Sequence, residues 1–233
     1  MERMTFPGAG DFIPISADVT NADEVQAAIG GRQFFAIIHS AGTGSGDLIQ
    51  NATPDNLRQD IETNVLGTLN IAKLADSHLV KYGHLAIVSS GAATLPWPGG
   101  VSYVTAKAAQ YAIAAAMAHR LKPKCVAVTA VLAGAFNSGM WDNKFRSPIL
   151  QAVVEINRRA FPSAWRTARK MLADVEAGEP VSTVGRAGKI AQRFGRLMHL
   201  QSKALAVTLA RLGIGLPLHW TGTLSRGPAP AHG

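Results

Sequence analysis

Ser90, Tyr103 and Lys107 are the residues of this chain whose types and spacing best suit chemistry. Tyr103 and Lys107 lie four residues apart in a helix-forming stretch, so they share one helix face. A phenol is a poor acid near neutral pH because its pKa is about 10, and a nearby ammonium lowers that pKa by favouring the phenolate. Ser90 could hold a carbonyl or alcohol oxygen beside the phenol. Together the three groups predict a proton relay for chemistry at a carbon–oxygen bond.

A buried strand and a helix are predicted to position these groups. The apolar run 84–88 leads into Ser89 and Ser90, which indicates a strand with two hydroxyls at its C-terminal end. A loop rich in glycine and proline follows this strand. Residues 102–121 then form the helix that carries the tyrosine and the lysine.

Strands and helices alternate along the first two thirds of the chain. Three runs are almost continuously apolar, as expected of strands buried on both faces of a parallel sheet, at 34–39, 84–89 and 125–132. Helices are predicted at 21–30, 54–80 and 102–121. Thr20 or Asn21 would cap the first helix, and Thr53 would cap the second with Pro54 at its first position. This order predicts an α/β fold with helices on both sides of the sheet.

Three further features follow one another at consistent spacings. Asp18-Val19 follows a short apolar run, Ser40-Ala41-Gly42 follows the strand at 34–39, and Asn64 lies within the second helix. With Ser90, Tyr103 and Lys107, this ordered set resembles the short-chain dehydrogenase/reductase family over roughly residues 10–140. The resemblance implies a Rossmann-like, doubly wound parallel sheet.

The resemblance implies a role for each residue of a catalytic tetrad. Tyr103 would be the general acid in reduction or the base in alcohol oxidation. Lys107 would lower the pKa of Tyr103 and bind the nicotinamide ribose, and Ser90 would hold the substrate oxygen. Asn64 would position a water that connects Lys107 to solvent. Hydride transfer between NAD or NADP and a carbonyl or secondary alcohol would belong to the cofactor.

The resemblance also implies a set of cofactor contacts. Asp18-Val19 matches the family's acidic position at the adenine ring, and Ser40 replaces the asparagine of an Asn-Ala-Gly turn. Residues 133–138 stand where the family has a Pro-Gly-x-Val-x-Thr loop at the nicotinamide, with Ala133 in place of proline. The residues implied to contact NAD or NADP are Asp18, Val19, Ser40, Ala41, Gly42, Tyr103, Lys107, Gly134, Phe136 and Ser138.

The front of the chain departs from the family pattern. Family members begin with a strand, a glycine-rich turn and a helix that cradle the pyrophosphate, but no strand precedes and no helix follows the glycine-rich run 7–10. The strands concerned would separate the strand ending at Asp18 from the strand before Ser40, so these two would leave a gap or pair directly. The sequence thus predicts an N-terminally truncated sheet. Three accounts stay open: a fragment or mis-started enzyme, a short form without the cofactor, and a scaffold for another reaction or for binding.

Composition favours a soluble, cytoplasmic protein with one domain over residues 1–233. Hydrophobic residues make up 47% of the chain, which excludes a disordered protein. Cys125 is the single cysteine, predicted as a structural thiol in a strand, and it fits a reducing compartment. The scattered histidines predict no metal site, and His39 is interpreted as a satisfied histidine at a strand end. Asp60 and Glu62 lie two apart on a helix and therefore point apart.

The formal net charge of +8 comes from the last third of the chain, because residues 1–150 are balanced. Residues 186–212 are predicted to form a basic amphipathic helix packed on the core, with contact of 186–220 to an anionic membrane surface as the alternative. No nucleic-acid-binding signature accompanies the basic residues. We predict a dehydrogenase-like core, a basic helix-rich lid and C-terminal region, and a disordered tail, over 1–146, 147–224 and 225–233.

The sequence therefore predicts an oxidoreductase of the short-chain dehydrogenase/reductase type with a small-molecule substrate. A first alternative is a non-redox enzyme in which Tyr103, Lys107 and Ser90 drive a cyclisation, isomerisation or dehydration at a carbonyl compound. A second is a non-catalytic protein that associates through the helices at 54–80 and 102–121, which form a four-helix dimer interface in the family. The resemblance implies a homodimer or homotetramer.

Overall fold

The computed structural model describes residues 13–44, 46, 48–94, 100–142, 151–152, 155–156 and 158–184. The strands are β1 Phe34–His39, β2 Leu79–Ser90, β3 Ala127–Ala133 and β4 Val181–Val184. The helices with described bounds are α1 Ala22–Ile29, α2 Pro54–Ile61, α3 Gly67–His78, α4 Val101–Leu121 and α5 Ala164–Glu176. The α/β class predicted from the sequence is confirmed.

The four strands form one parallel sheet in the order β1-β2-β3-β4. The register pairs His39 with Ile87, and Ser90 with Ala133. Parallel strands bring their carboxyl ends to one edge of the sheet, so the segments that follow β1, β2 and β3 meet there. This edge carries the predicted chemistry.

The main core lies between the sheet and the helices α3 and α4. Leu85 and Ile87 of β2 and Leu121 at the end of α4 are at most 1% exposed, and they pack with apolar residues of β3. Residues 83–90 of β2 and the strand β3 are almost wholly buried. Their burial explains why their sequences are nearly continuous in apolar residues rather than alternating.

Side-chain caps set the starts of the first two helices. The Asn21 side chain accepts hydrogen bonds from the second and third backbone amides of α1, and Thr53 Oγ1 accepts from the Asn56 amide of α2. Pro54 occupies the first position of α2, as predicted. A π-helical turn, Glu62–Leu66, joins α2 to α3 without a break. One wide turn of this kind re-aims a side chain from within a helix.

Three predictions made from the sequence need correction. The run that ends at Asp18 forms no strand, because Pro14 has no amide to donate and Asp18 instead starts a turn into α1, accepting from the amide and hydroxyl of Thr20. Direct pairing of that run with β1 is therefore wrong, and among the described residues β1 pairs only with β2. Cys125 has a φ of 55° and precedes β3, so it is not a strand residue.

Several predictions fall on residues that the structure does not describe. The basic helix at 186–212, the membrane-contacting region 186–220 and the tail 225–233 lie outside the described residues and stay predictions. Within the part of the chain that the structure describes, no helix has both the length and the apolar character needed to cross a bilayer.

The core assignment predicts the effect of truncating a β2 side chain. Leu85 is fully buried, so Leu85→Ala should lower the free energy of unfolding by about 2–5 kcal/mol through lost burial and a cavity. Leu57→Ala on α2 is the matched control, because Leu57 is 46% exposed and should lose less than about 1 kcal/mol. Urea denaturation measures both, and equal losses would contradict this description of the core.

Candidate active site

The structure brings the four predicted catalytic residues together at the carboxyl edge of the sheet. Ser90 ends β2, and Tyr103 and Lys107 lie in the first two turns of α4. The π-helical turn carries Asn64, which is fully buried. These residues come from three elements whose ends meet at the same edge.

Tyr103 and Ser90 are joined by a side-chain hydrogen bond. Burial raises the pKa of Tyr103 above its ordinary value, the hydrogen bond to Ser90 works against that rise, and the negative charge of Asp60 adds to it. Desolvation of the phenol is the largest of these effects. The Lys107 ammonium lies 5.6 Å from the ring centroid, and a lowering of this pKa by Lys107 stays a prediction.

The ammonium of Lys107 is buried at 3% exposure and held from within the protein. Its Nζ donates to the carbonyl of Val88 at 3.2 Å and to Gln110 Oε1 at 2.8 Å. Gln110 Nε2 donates in turn to Thr68 Oγ1 at 2.8 Å, and His39 Nε2 lies 2.9 Å from the same hydroxyl. A continuous hydrogen-bonded network therefore lies behind the ammonium.

Asn64 is positioned by its amide nitrogen, which donates to the carbonyls of Thr43 at 3.0 Å and Asp60 at 2.9 Å. Its Oδ1 is buried, with no protein partner among the described residues. A methyl group on Gly42 would lie 2.8 Å from this oxygen and 3.1 Å from Lys107 Nζ. One small space thus borders both groups, as the predicted bridging water requires.

An open pocket lies on the same segment. It has a volume of about 440 Å³ and is lined by Gly42, Thr43, Gly44, Met140 and Asp142. A methyl group on Gly44 would overlap the ring of Tyr103, so the backbone here lies directly on that ring. The pocket offers a place for a small molecule beside the predicted acid.

The predicted adenine contacts lie beside the start of α3. The Asp18 carboxylate accepts from Thr20, and Val19 packs so closely against Gly67 that a methyl group there would clash. None of the hydrogen bonds described for Asp18 and Val19 connects them to the tetrad. The turn after β1 lies nearer, with Ser40 exposed and Ala41 half-buried beside Gly42.

The loop after β3 is fixed to neighbouring elements. The amide of Gly134 donates to the carbonyl of Val184 at 2.8 Å, and the carbonyl of Ser138 accepts from Arg158. Phe136 packs against the small apolar cluster that includes Val184. Contact of Gly134, Phe136 and Ser138 with a cofactor stays a prediction.

The residues present fit the nicotinamide-ribose end of a dinucleotide. The glycine backbone at Gly42, the buried Oδ1 of Asn64 and the inward ammonium of Lys107 leave space and polar groups where ribose hydroxyls would bind. A strand, glycine-rich turn and helix for the pyrophosphate do not occur among the residues that the structure describes. The fit thus covers one half of such a cofactor.

Sequence reasoning missed the buried polar residues that support the tetrad. Asp60 is 2% exposed and hydrogen-bonded, whereas Glu62 is exposed, so the two do point apart as predicted. Gln110 is fully buried against Lys107. Helical spacing could have identified both residues. Asp60 precedes Asn64 by one turn and Gln110 follows Lys107 by one turn, so each shares a helix face with a residue of the tetrad.

His39 is a satisfied strand-end histidine, as interpreted from the sequence. Thr68 gives its hydroxyl proton to the carbonyl of Asn64, so His39 must donate through Nε2, which is the neutral tautomer with the proton on that nitrogen. Burial lowers the pKa of His39 to about 4, and the positive charge of Lys107 contributes. The network is therefore built around an uncharged imidazole.

This lowered pKa predicts a pH dependence of stability. The unfolded chain protonates His39 below about pH 6.5 while the folded state resists protonation down to about pH 4. The contribution of His39 to the free energy of unfolding is therefore fully present above pH 6.5. It is lost as pH falls toward 4, which lowers the free energy of unfolding by roughly 2–3 kcal/mol. His39→Asn should flatten this loss, measured by urea denaturation at pH 7 and pH 4.5. His119→Asn, at an exposed site, should retain it, and a full wild-type loss in His39→Asn would contradict the assignment.

Comparisons with known proteins agree with this geometry. A sequence model described as short chain dehydrogenase matches residues 5–149, more than half of the chain. An uncharacterized oxidoreductase of Methylorubrum extorquens is 29% identical over 141 residues, which cover 58% of this chain and 56% of that protein. A 3-oxoacyl-(acyl-carrier-protein) reductase of Synechocystis is 26% identical over 151 residues, covering 62% of this chain and 61% of that enzyme. The chain thus spans less than two thirds of the length of these relatives.

Solved structures share the fold. A short chain dehydrogenase of Burkholderia cenocepacia, solved in complex with NADP, has a TM-score of 0.63 and 25% identity, covering 84% of this chain and 80% of that one. A short-chain dehydrogenase/reductase of Serratia marcescens has a TM-score of 0.60 at 20% identity, covering 72% of each chain. The resemblance drawn from the sequence motifs is confirmed: the chain belongs to the short-chain dehydrogenase family.

Proposed function

We propose that this chain carries the catalytic site of an oxidoreductase that transfers a hydride between NAD or NADP and a carbonyl or secondary alcohol. The observation that carries the proposal is the phenol of Tyr103, hydrogen-bonded to Ser90 and close to a buried ammonium, at the carboxyl edge of the sheet. That edge is where open α/β sheets bind their ligands.

Each side chain has a task in this reaction. Ser90 donates a hydrogen bond to the substrate oxygen and holds it next to Tyr103. In reduction the phenol gives its proton to the oxygen as it becomes an alkoxide, and in oxidation the phenolate takes the proton back. A bound nicotinamide supplies or accepts the hydride. Lys107 stabilises the phenolate state through its charge, and Asn64 orders the water that would resupply the proton.

The relatives support a carbonyl compound as the substrate class. The Synechocystis relative is named a 3-oxoacyl-(acyl-carrier-protein) reductase. A Bacteroides thetaiotaomicron relative, 30% identical over 138 residues, is named a 3-ketodihydrosphingosine reductase. Both names describe reduction of a ketone. We therefore propose a small-molecule ketone or its alcohol as the substrate of this chain.

A second candidate is a non-redox enzyme on the same scaffold. It is supported by the hydrogen bond between Tyr103 and Ser90, which the protein forms by itself. Tyr103 and Ser90 could then move a proton at a carbonyl compound without a nicotinamide. Cofactor binding separates this candidate from the first.

The first candidate predicts that NAD(H) or NADP(H) stabilises the folded chain. A ligand at about 100 times its dissociation constant adds about 2.7 kcal/mol to stability, which a thermal-shift titration detects. Tyr103→Phe should keep this shift and lower kcat for ketone reduction by about 10²–10⁴ because the proton donor is lost. Tyr111→Phe is the matched control on the same helix, and it should keep both properties.

Two results would overturn the redox proposal. Wild-type activity in Tyr103→Phe would remove the tyrosine from the reaction. Product formation without any nicotinamide, stopped by the same substitution, would establish the non-redox candidate instead. A cytoplasmic location and membrane contact through 186–220 stay predictions and are independent of both outcomes.

We also propose that the chain forms a homodimer or homotetramer through the face of the helices α3 and α4. Leu66 and Leu69 are 48% and 47% exposed, and they lie three residues apart, so they share a face near the site. Ala112 and Ala116 are exposed and share a face of α4. Small and apolar side chains of this kind suit close helix packing between two copies.

A charge on this face should weaken association. Leu69→Glu should increase the dissociation constant of the dimer at least tenfold, because a carboxylate would be buried against apolar groups. Analytical ultracentrifugation over a concentration series measures the change. Leu172→Glu is the control, since Leu172 is 45% exposed on α5. Unchanged association in Leu69→Glu would exclude this face as the interface.

A further inference from the structure

Asp60 is a buried carboxylate beside the site, and the proposed reaction assigns it no role. It lies in the last turn of α2 and is 2% exposed. One of its oxygens accepts from Ser102 Oγ at 2.5 Å, and the other accepts from Thr43 Oγ1 at 3.2 Å. A carboxylate that is buried away from water needs such donors. The two hydroxyl groups that donate to Asp60 are therefore fixed in position by it.

The two donors belong to different parts of the site. Ser102 lies in the first turn of α4, directly before the candidate tyrosine. Thr43 lies in the segment 42–44 after β1, and its backbone carbonyl accepts from Asn64 Nδ2 at 3.0 Å. Asp60 therefore joins α2, the segment 42–44 and the start of α4.

This segment lies directly on the reacting groups. A methyl group on Gly44 would overlap the Tyr103 ring, and one on Gly42 would lie within 3.1 Å of both Asn64 Oδ1 and Lys107 Nζ. Backbone at such close range has no space in which to shift. Hydrogen bonds that hold the segment therefore also set the space left over the phenol and the ammonium.

We propose that Asp60 is a positioning residue, which clasps the segment 42–44 to the start of α4 and places a fixed negative charge next to Tyr103. The inference depends on the proposed function only for the role of Tyr103 as acid or base. The clasp and the charge themselves are properties of the protein alone.

In the part of the chain that the structure describes, three elements contribute positive or neutral groups to the site of Tyr103. Lys107 on α4 places its ammonium 5.6 Å from the ring centroid. His39 on β1 is uncharged at neutral pH because burial lowers its pKa to about 4. The end of β2 contributes hydroxyls at 89–90 and no charge. These groups either favour the phenolate or leave it unchanged.

The negative groups differ in their surroundings. Asp142, in the loop after β3, lines the open pocket and pairs with Arg158 at 2.6 Å, which offsets its charge. Asp60 accepts hydrogen bonds from two hydroxyl groups, and one of these belongs to Ser102, which directly precedes Tyr103. In support, its charge raises the pKa of Tyr103, in addition to the larger effect of burial and against the hydrogen bond with Ser90.

The charge can be tested by titrating Tyr103 in the protein without cofactor or substrate. The chain has three tyrosines, so replacement of all three by 3,5-difluorotyrosine gives three ¹⁹F resonances, which Tyr→Phe variants assign. The ring fluorines lower the phenol pKa into a range where the fold is stable. Asp60→Asn is the test variant, because a serine or threonine hydroxyl can accept from the new amide as well as donate.

Loss of the negative charge makes the phenolate easier to form. The titration midpoint of Tyr103 should therefore fall by roughly 0.5–1 pH unit in Asp60→Asn, a three- to tenfold change in the ionisation constant. Asp55→Asn, on the exposed side of the same helix, should leave the midpoint unchanged. An unchanged midpoint in Asp60→Asn would overturn the inference.

Thr43→Val separates the charge from a general loosening of the site. It removes one hydrogen bond of the clasp and keeps the carboxylate, so the midpoint should stay within about 0.2 units of wild type. An equal fall in Thr43→Val and Asp60→Asn would assign the effect to structure and refute a role for the charge. A wild-type midpoint for Tyr103 no higher than that of the exposed Tyr82 would also overturn the proposal, without any variant.

The titration experiment and the test of the proposed function have independent outcomes. Absence of a thermal shift with any nicotinamide would remove the redox proposal and leave the midpoint comparison intact. A nicotinamide-dependent activity with no response of the midpoint to Asp60→Asn would keep the reaction and remove the role of Asp60.

Discussion

Burial of the Lys107 ammonium is the constraint from which the rest of the site follows. Withdrawing an ammonium from water costs several kcal/mol unless acceptors replace its hydration. Here the carbonyl of Val88 and the amide oxygen of Gln110 supply them, and Gln110 must in turn satisfy its own amide nitrogen through Thr68. Burial keeps the neighbouring His39 neutral by lowering its pKa to about 4, and the positive charge of Lys107 adds to this effect. One charge thus fixes the hydrogen-bonding state of a network that reaches from α4 across α3 to the first strand.

The second helix changes its winding beside the same charge. A π-helical turn at Glu62–Leu66 lets Asn64 point into the site while α2 and α3 continue as one rod. Its amide nitrogen is taken by two carbonyls, so its oxygen is left to face the space next to the lysine. Only a glycine fits at position 42, where a side chain would fill that space. The surroundings of the ammonium on this side therefore depend on an irregular helix turn and a missing side chain together.

The strands β1, β2 and β3 and the candidate catalytic residues could be predicted from the sequence because each leaves a local signal. Continuous apolar runs mark the inner strands, and the four-residue spacing places Tyr103 and Lys107 on one face. The partners of these residues could not be predicted, since Gln110 meets Thr68, and Asp60 meets Ser102, across 42 residues of chain. The strand predicted before Asp18 failed for a related reason: a strand exists only through its neighbours, and this run makes a turn instead of a ladder. The π turn in the middle of the second predicted helix also left no signal in the sequence.

The charges around Tyr103 bear on which direction of reaction the resting site favours. A catalytic acid works best when its pKa lies near the working pH, yet burial and Asp60 hold this phenol above its ordinary value in the protein alone. Tyr103 is therefore protonated in the resting site, which is the state that reduction of a carbonyl needs. Oxidised nicotinamide carries one more positive charge on its ring than the reduced form. Under the proposed function, the phenolate would be favoured more in the complex with the oxidised form, and that is the complex in which a base is required. Asp60 would then help to set the pKa of Tyr103 in the protein alone, and Lys107 would help to set how far this pKa falls in the complex. The protonation state of the tyrosine would thus follow the oxidation state of the bound nicotinamide.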